Sequence, residues 1–295
     1  MTGVTYGSQR SLRRGQGAEI AGSRRYVPGD RLAWIDWHAS ARESLARNDD
    51  IFIVRQYFEE VAPRVIVVVD RRPSMALYSG EFPWLSKPLV LREASTAIVA
   101  AAHAARAYVG YLDFTAAPGE DGAAPHWISP HRQSAQRIVD RLGREFDAPR
   151  NSLELAIDYL LTLHRDVPAG SFVFILSDFL EPVPAHVWSR ARARRWDVVP
   201  VIVQDRVWEQ SFPLLSRVLV PFDNPETGKK GSVRLSSAEA HERQRSNEDR
   251  LRRLTSGFRR LEFDPVLLDT TEPYEIDMAF IRWATRRRAR RFGTR

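Results

Sequence analysis

The chain of 295 residues contains no cysteine, which excludes disulfide bonds, thiolate metal sites and cysteine nucleophiles. It also lacks any run of about 18 uncharged apolar residues, the length that a membrane-spanning helix requires. The first ten residues contain no apolar segment of the kind found in signal peptides. We therefore expect a cytoplasmic protein with no membrane span.

Lysine is scarce, because only three of the 44 basic residues are lysines. The net charge of +7 is compatible with binding to nucleic-acid phosphates. However, the preference for arginine runs through the whole chain and is typical of a GC-rich coding sequence. Nucleic-acid binding is therefore only an alternative hypothesis, and it rests on an arginine cluster near the C-terminus (Arg286, Arg287, Arg288, Arg290 and Arg291). Favourable interaction with a helix dipole or with an acidic partner would also account for that cluster.

Catalytic signatures are missing as well. The sequence has no H-E-x-x-H, no G-x-x-x-x-G-K-[ST] and no G-x-S-x-G motif, and its seven histidines are dispersed. We predict that the protein is not an enzyme and has no small-molecule substrate.

The central feature that the sequence does contain is the stretch from Arg64 to Ser74, R-V-I-V-V-V-D-R-R-P-S. Five consecutive β-branched residues are typical of a strand in the middle of a parallel sheet, where helices cover both faces. The strand ends at Asp70, which should lie in the crevice where open α/β sheets bind ligands.

Further apolar runs alternate with helical patterns after this strand, which predicts a doubly wound, mostly parallel α/β sheet flanked by helices. We expect an N-terminal β and loop extension over residues 1–62, packed on a main domain over residues 63–295. A C-terminal elaboration should add a hairpin with its turn at 226–228, followed by helices. Other predicted strands cover 109–115, a short segment around 127–128, 171–177, 198–203 and 263–269. Predicted helices cover 94–108, 134–145, 152–164, 185–195, 238–258 and 276–291.

The N-terminal extension contains a turn and a short helix. Pro28-Gly29 is a turn signal, and Asp30 can cap the segment that follows. Trp34 and Trp37 are three residues apart, which predicts that both lie on one helical face and pack on the body of the protein. Residues 9–25 should form loops and short edge strands, and residues 50–59 should form a strand.

Several short motifs follow one another in a specific order. They are Tyr26-x-Pro28-Gly29-Asp30, Ile35-Asp36-Trp37, Ser40-Ala41-Arg42 and, later in the chain, Ser177-Asp178-Phe179 and D-N-P-E-T-G over 223–228. In this order the chain resembles a bacterial family known as domain of unknown function fifty-eight. The resemblance implies a von Willebrand factor A-like fold. It also implies a protein-interaction module, acting as adaptor or co-chaperone of a MoxR-type AAA+ ATPase and its client protein.

The resemblance further implies a metal-ion-dependent adhesion site at the strand tips. Asp70, Ser74 and Asp178 match the pattern of Mg²⁺ ligands, and the second loop offers Asn151 or Ser152 where a threonine is expected. Arg72, however, stands at the place of the first ligating serine, and a guanidinium has no acceptor for a metal.

We therefore expect a degenerate site without a cofactor, in which Arg72 pairs with Asp70 or Asp178. A bound Mg²⁺ is the alternative. A metal-dependent hydrolase that uses Asp70 and Asp178 is the alternative function.

Overall fold

The computed structural model describes residues 14–58, 62–77, 85–116, 123–214, 219–224 and 229–292. The chain forms two compact units, which divide between residues 62 and 63. The packing of the N-terminal extension on the main domain stays a prediction.

The N-terminal unit is built on a two-stranded antiparallel sheet of β1 (Arg14–Arg25) and β2 (Ile53–Phe58). Where loops and short edge strands were expected, β1 is one strand of 12 residues; residues 9–13 lie outside the described part. Its register with β2 shifts twice, which is how a glycine-containing strand accommodates extra residues.

Between these strands lie a short 3-10 helix (Leu32–Trp34) and helix α1 (Trp37–Arg47). The prediction that Trp34 and Trp37 share one helical face is wrong. Trp34 ends the 3-10 helix and Trp37 begins α1, because Ile35 between them adopts extended backbone and bridges to β2.

The main unit contains a six-stranded sheet in the order β10-β7-β6-β3-β4-β5, parallel except for β5. Its strands are β3 (Arg64–Val69), β4 (Tyr108–Ala116), β5 (Ala123–His131), β6 (Phe172–Ser177), β7 (Asp197–Val203) and β10 (Val266–Leu268). Its helices are α2 (Lys87–Ala104), α3 (Ala135–Leu142), α4 (Ser152–Thr162), α5 (Ala185–Ala193), α6 (Ser237–Arg260) and α7 (Pro273–Phe292).

Strand β3 lies between β4 and β6 and is buried on both faces. Val65, Val67 and Val69 pack into a core with α2, α3 and α7. Ile66 and Val68 point to the opposite face and pack with α4, α5 and α6. Two cores on opposite faces of one sheet confirm the predicted doubly wound α/β fold.

Helix α2 differs from its prediction at both ends. Helix α2 begins at Lys87 rather than Ala94, with Pro88 in its first turn, where proline is well tolerated. It ends at Ala104 rather than Tyr108, because Arg106 adopts a left-handed conformation with φ of 55°.

The edge strand β5 runs antiparallel to β4 over nine residues, longer than the short segment expected around Trp127. The two strands approach closely at Gly110, where a Cβ atom would lie 3.0 Å from Ile128 O, Ile66 Cδ1 and Pro130 Cγ. Only glycine fits this contact without displacement of a neighbour.

The predicted C-terminal hairpin is present as β8 (Leu219–Asn224) and β9 (Lys229–Arg234), which pair in antiparallel fashion. The turn expected at 226–228 lies outside the described residues. None of the described helices has both the length and the apolar character needed to cross a membrane.

Candidate functional site

Asp70 and Asp178 lie side by side at the carboxyl edge of the sheet. They directly follow β3 and β6, which are neighbouring parallel strands. The amide of Asp70 also donates to Leu176 O at 3.0 Å, which continues the pairing past the end of β3. Both aspartate side chains are fully buried. The structure therefore brings the two predicted acids into one enclosed cluster.

Arg72 lies between the two aspartates and bonds both of them. Its Nη2 lies 2.6 Å from Asp70 Oδ2 and 3.0 Å from Asp178 Oδ1. The Arg72 Nε and backbone amide donate to Asp70 as well, at 2.9 and 3.0 Å. Ionised hydrogen bonds of this kind are among the stronger ones in proteins. The side chain is only 1% exposed, so these contacts are shielded from water.

Lys87, in the first turn of α2, is a second buried cation of the cluster and was not predicted. Its Nζ lies 3.0 Å from Asp178 Oδ2, 2.5 Å from Glu209 Oε1 and 3.2 Å from Ser74 O. These three partners match the three donors of an ammonium group. The one available signal was its rarity, since Lys87 is one of three lysines in an arginine-rich chain.

The hydroxyl groups around the cluster have unequal roles. Ser177 donates to Asp70 Oδ2 at 2.7 Å, and Ser152 lies 3.4 Å from Asp70 Oδ1. Ser74 Oγ is buried and has no hydrogen-bond partner among the described residues. Asn151 is exposed at the start of α4. Of the two candidates in the second loop, Ser152 therefore reaches the acids and Asn151 does not.

The pKa values of the cluster reflect competition between burial and ion pairing. Burial pushes the pKa of Asp178 upward, but Lys87 and Arg72 outweigh it and the net shift is downward. Burial likewise opposes charge on Lys87, yet its carboxylate partners raise its pKa. Burial raises the pKa of Glu209 more than Lys87 lowers it. The network thus favours a charged Asp178–Lys87 pair.

The donor set around the acids does not fit a divalent cation. All four carboxylate oxygens of Asp70 and Asp178 already accept hydrogen bonds, and two buried cations stand beside them. A dication would meet repulsion from Arg72 and Lys87. Within the described ranges, no group of three or more acidic or histidine side chains is arranged to hold a metal.

A second buried network adjoins this cluster through Arg71. The Arg71 guanidinium bonds Asp113 and Tyr111, and it also donates to the carbonyl oxygens of Arg141, Leu142 and Arg144. Tyr111 donates to Asp113 Oδ2 at 2.8 Å, and burial raises its pKa. Arg71 and Arg72 thus anchor the loop after β3 in opposite directions.

The motif residues of the N-terminal unit mostly fix its local backbone. Asp30 accepts from Arg24 and from the amide of Val27, so it closes the Pro28-Gly29 turn instead of capping the next helix. Asp36 caps α1 through the amide of Ala39 and pairs with Arg55. Arg24 lowers the pKa of Asp30, and Arg55 lowers the pKa of Asp36.

The remaining motif residues include an exposed aromatic. Tyr26 is half-buried and its amide donates to Phe52 O, whereas Arg42 is exposed. Trp37 is 63% exposed and contacts Phe52 edge-to-face at 6.1 Å. Leu32 and Leu45 of the same unit are 67% and 85% exposed. Trp37 and Phe52, which is 45% exposed, thus form an exposed aromatic pair on this unit.

The arginine cluster of α7 is partly engaged within the protein. Arg287 pairs with Asp197 and lies over the rings of Trp283 and Phe172, and Arg290 lies 3.8 Å from Asp264. Bonds of this kind anchor the helix to the sheet. They reduce the number of arginines available to nucleic-acid phosphates.

A sequence model of the family described as "Protein of unknown function DUF58" matches residues 22–253. No curated protein matches the chain in sequence. The mostly parallel sheet with helices on both faces is the doubly wound α/β architecture that the sequence predicts.

The chain also resembles several solved structures at low sequence identity. They include the pilus adhesin SpaC from Lactobacillus rhamnosus GG, at 11% identity and a TM-score of 0.46, with 77% of this chain and 31% of that chain covered. An aerotolerance-related membrane protein from Bacteroides fragilis NCTC 9343 has 12% identity and a TM-score of 0.42, covering 76% and 100%. A von Willebrand factor type A protein from Catenulispora acidiphila has 10% identity and a TM-score of 0.39, covering 78% and 43%. The chain thus spans less than a third of the length of SpaC.

Proposed function

The chain belongs to the family described as Protein of unknown function DUF58, and on that premise we propose that it is a non-enzymatic protein-interaction module. Its strand-tip acids form a degenerate adhesion site that has a structural role and holds no divalent ion. We further propose that its partner is a MoxR-type AAA+ ATPase, for which it acts as adaptor or co-chaperone toward a client protein.

The observation that carries the proposal is the position of Arg72 between Asp70 and Asp178. An adhesion site needs a metal with one open position, to which a carboxylate of the partner binds. Here the internal salt bridges occupy the acids, and Arg72 is almost fully buried. A hydrolase would also need these carboxylates for its metal. The geometry therefore favours a structural role for the acids over metal-dependent adhesion and over metal-dependent hydrolysis.

Partner binding then requires a different surface, and the N-terminal unit offers one. Trp37 belongs to the sequence motif that marks the family resemblance, yet most of its side chain is exposed. If Trp37 were buried, packing in the core would explain its place in the motif. Trp37 is instead exposed beside Phe52, and tryptophan is enriched among the hot-spot residues of protein interfaces. We assign ATPase binding to this surface of Trp37 and Phe52.

The test is a binding measurement between the full chain and a MoxR-type AAA+ ATPase from the same organism. Trp37→Ala should weaken the complex by about 2 kcal/mol, which is typical of a hot-spot residue. Tyr274→Ala is the matched control, since Tyr274 is 70% exposed in the main unit. Equal affinities of both variants would refute the assigned surface, and absence of binding by the unaltered chain would refute the ATPase partner.

A further inference from the structure

An open cavity of about 300 Å³ lies near the amino-terminal edge of the parallel strands, and His103, Arg106, Ala107 and Arg132 line it. His103 lies in the last turn of α2, and Arg106 and Ala107 precede β4. Arg132 directly follows β5, whose end pairs with the start of β4. The cavity is thus at the edge opposite Asp70 and Asp178, and the proposed function does not involve it.

The cavity is lined by cations that lack anionic partners. Neither Arg106 nor Arg132 forms a salt bridge within the described part of the chain. Arg132 lies over the ring of Tyr108 at 5.4 Å, a contact that leaves the edge of the guanidinium available to a ligand. By contrast, the buried Arg71 and Arg72 are both paired with aspartates.

The side chain of His103 adds an unused polar atom. Its Nε2 is buried and has no hydrogen-bond partner among the described residues. Buried polar atoms in proteins nearly always have a partner, and an orphan often marks the place of a water or an ion. The described residues around this cavity thus include two guanidinium groups with no carboxylate acceptor and one ring nitrogen with no hydrogen-bond partner.

The end of α2 does not supply that acceptor. The amides of Ala105, Arg106 and Ala107 donate to the carbonyl oxygens of Ala101, His103 and Ala102, which is the Schellman arrangement of a helix end. The carbonyl oxygens of Ala101, Ala102 and His103 are thus already bonded to the backbone. Arg106 occupies the left-handed position of this motif, where glycine is the usual residue.

We propose that this cavity binds the phosphoryl group of a small phosphorylated molecule. Planar guanidinium groups bind phosphate oxygens in pairs. A phosphoryl group has three oxygens and up to two negative charges, so it can pair with two arginines at once, whereas a carboxylate has one charge and two oxygens. The volume is at the lower limit of small-molecule sites. It suits a small phosphate ester better than a large cofactor.

The test is isothermal titration calorimetry of the full chain with inorganic phosphate. We expect one site with a Kd below about 1 mM. Arg106→Gly and Arg132→Gln should each weaken binding at least about tenfold, since each removes a charge-assisted hydrogen bond. Arg243→Gln, which changes an exposed arginine of α6 outside the cavity, should leave the Kd unchanged.

Arg106→Gly separates binding from folding. Glycine adopts the left-handed conformation without steric cost, so this variant should unfold at the same temperature as the unaltered chain or higher. Phosphate should also shift the NMR signal of the His103 ring but not that of the exposed His186. Loss of affinity together with retained stability supports the site.

Several outcomes would overturn the proposal. They are absence of phosphate binding, equal effects of Arg106→Gly and Arg243→Gln, or acetate binding as tightly as phosphate. A mixed-sequence DNA duplex that displaces phosphate would assign the cavity to a nucleic-acid backbone. That result would exclude the small molecule. None of these results depends on the AAA+ partner, so this proposal and the proposed function fail independently.

Discussion

Arg72 Nη2 lies 3.0 Å from Asp178 Oδ1, although 106 residues separate the two in the chain. The same nitrogen lies 2.6 Å from Asp70 Oδ2. One guanidinium therefore links the tips of the two central strands β3 and β6. It does so from the sequence position where an adhesion site has a ligating serine.

Removal of this guanidinium should destabilise the protein strongly. Within the described ranges, Arg72→Ser leaves the buried Asp178 paired with Lys87 alone and leaves the buried Asp70 without a cationic partner. Breaking one partner of a buried ion pair typically costs about 3–5 kcal/mol. Urea unfolding at pH 7 measures the loss.

Arg243→Ser is the control, because Arg243 is exposed on α6 and its replacement should change the free energy of unfolding by less than about 0.5 kcal/mol. Arg72→Ser also frees carboxylate oxygens of Asp70 and Asp178 and supplies a hydroxyl group. Magnesium should therefore restore part of the stability that the Arg72→Ser variant loses. If Arg72→Ser lowers the free energy of unfolding by less than about 1 kcal/mol, the salt bridges of Arg72 contribute as little to stability as surface ion pairs do.

Lys87 should be as sensitive as Arg72, although nothing in its local sequence marks it. Lys87→Met keeps most of the side-chain volume but leaves Glu209 and Asp178 without their ammonium partner, at a cost of about 3–5 kcal/mol. Lys229→Met changes an exposed lysine of β9 and should be nearly neutral. Thermal or urea unfolding measures the stability of both variants. Similar stabilities of Lys87→Met and Lys229→Met would contradict the buried network.

Tyr111 predicts a specific alkaline dependence of stability. Burial raises the pKa of Tyr111 above its ordinary value of 10.0, so above pH 10 the folded state keeps a proton that the unfolded state loses. The free energy of unfolding must then fall with rising pH, and the contribution of this group to the slope approaches about 1.4 kcal/mol per pH unit. Tyr111→Phe should make the decline shallower by that amount.

Urea unfolding from pH 9.5 to 11.5 measures this slope. Tyr274→Phe, at a position that is 70% exposed, is the control and should keep the slope of the unaltered chain. An unchanged slope in Tyr111→Phe would show that the phenol ionises while the protein is folded.

Two glycine-to-alanine changes should have opposite effects on the stability of the protein. At Gly110 the new Cβ would meet three atoms at 3.0 Å, two of them on β5, and overpacking of this kind costs about 1–3 kcal/mol. At Gly257, inside α6, nothing lies within 4 Å, so alanine should add about 0.4–1 kcal/mol of stability. Thermal unfolding of both variants checks the signs; destabilisation by Gly257→Ala would be the discordant result.

Structure could be predicted from the sequence where burial imposes a pattern of residue types. The β-branched run of β3 predicts a central strand because both of its faces are covered, and Arg72 is identifiable because its type contradicts the ligand pattern around it. Edge elements were harder to predict. Strand β5 includes exposed polar residues such as His126, and therefore lacks the apolar run that marks a buried strand.

The long-range partners of the site could not be predicted from local patterns. Lys87 meets Asp178 and Glu209 across separations of 91 and 122 residues. Glu209 lies in the loop after β7, where no periodicity applies. Tertiary folding alone brings these three together, so the second cation of the cluster emerges only from the structure.

The response of stability to magnesium tests the central claim most directly. If Arg72 and Lys87 take the place of the metal, the urea midpoint of the unaltered chain should be the same in MgCl₂ and in NaCl of equal ionic strength. A ligand of the folded state at about 100 times its Kd would instead add about 2.7 kcal/mol. A magnesium-specific rise of that size, abolished by Asp70→Asn, would contradict the account.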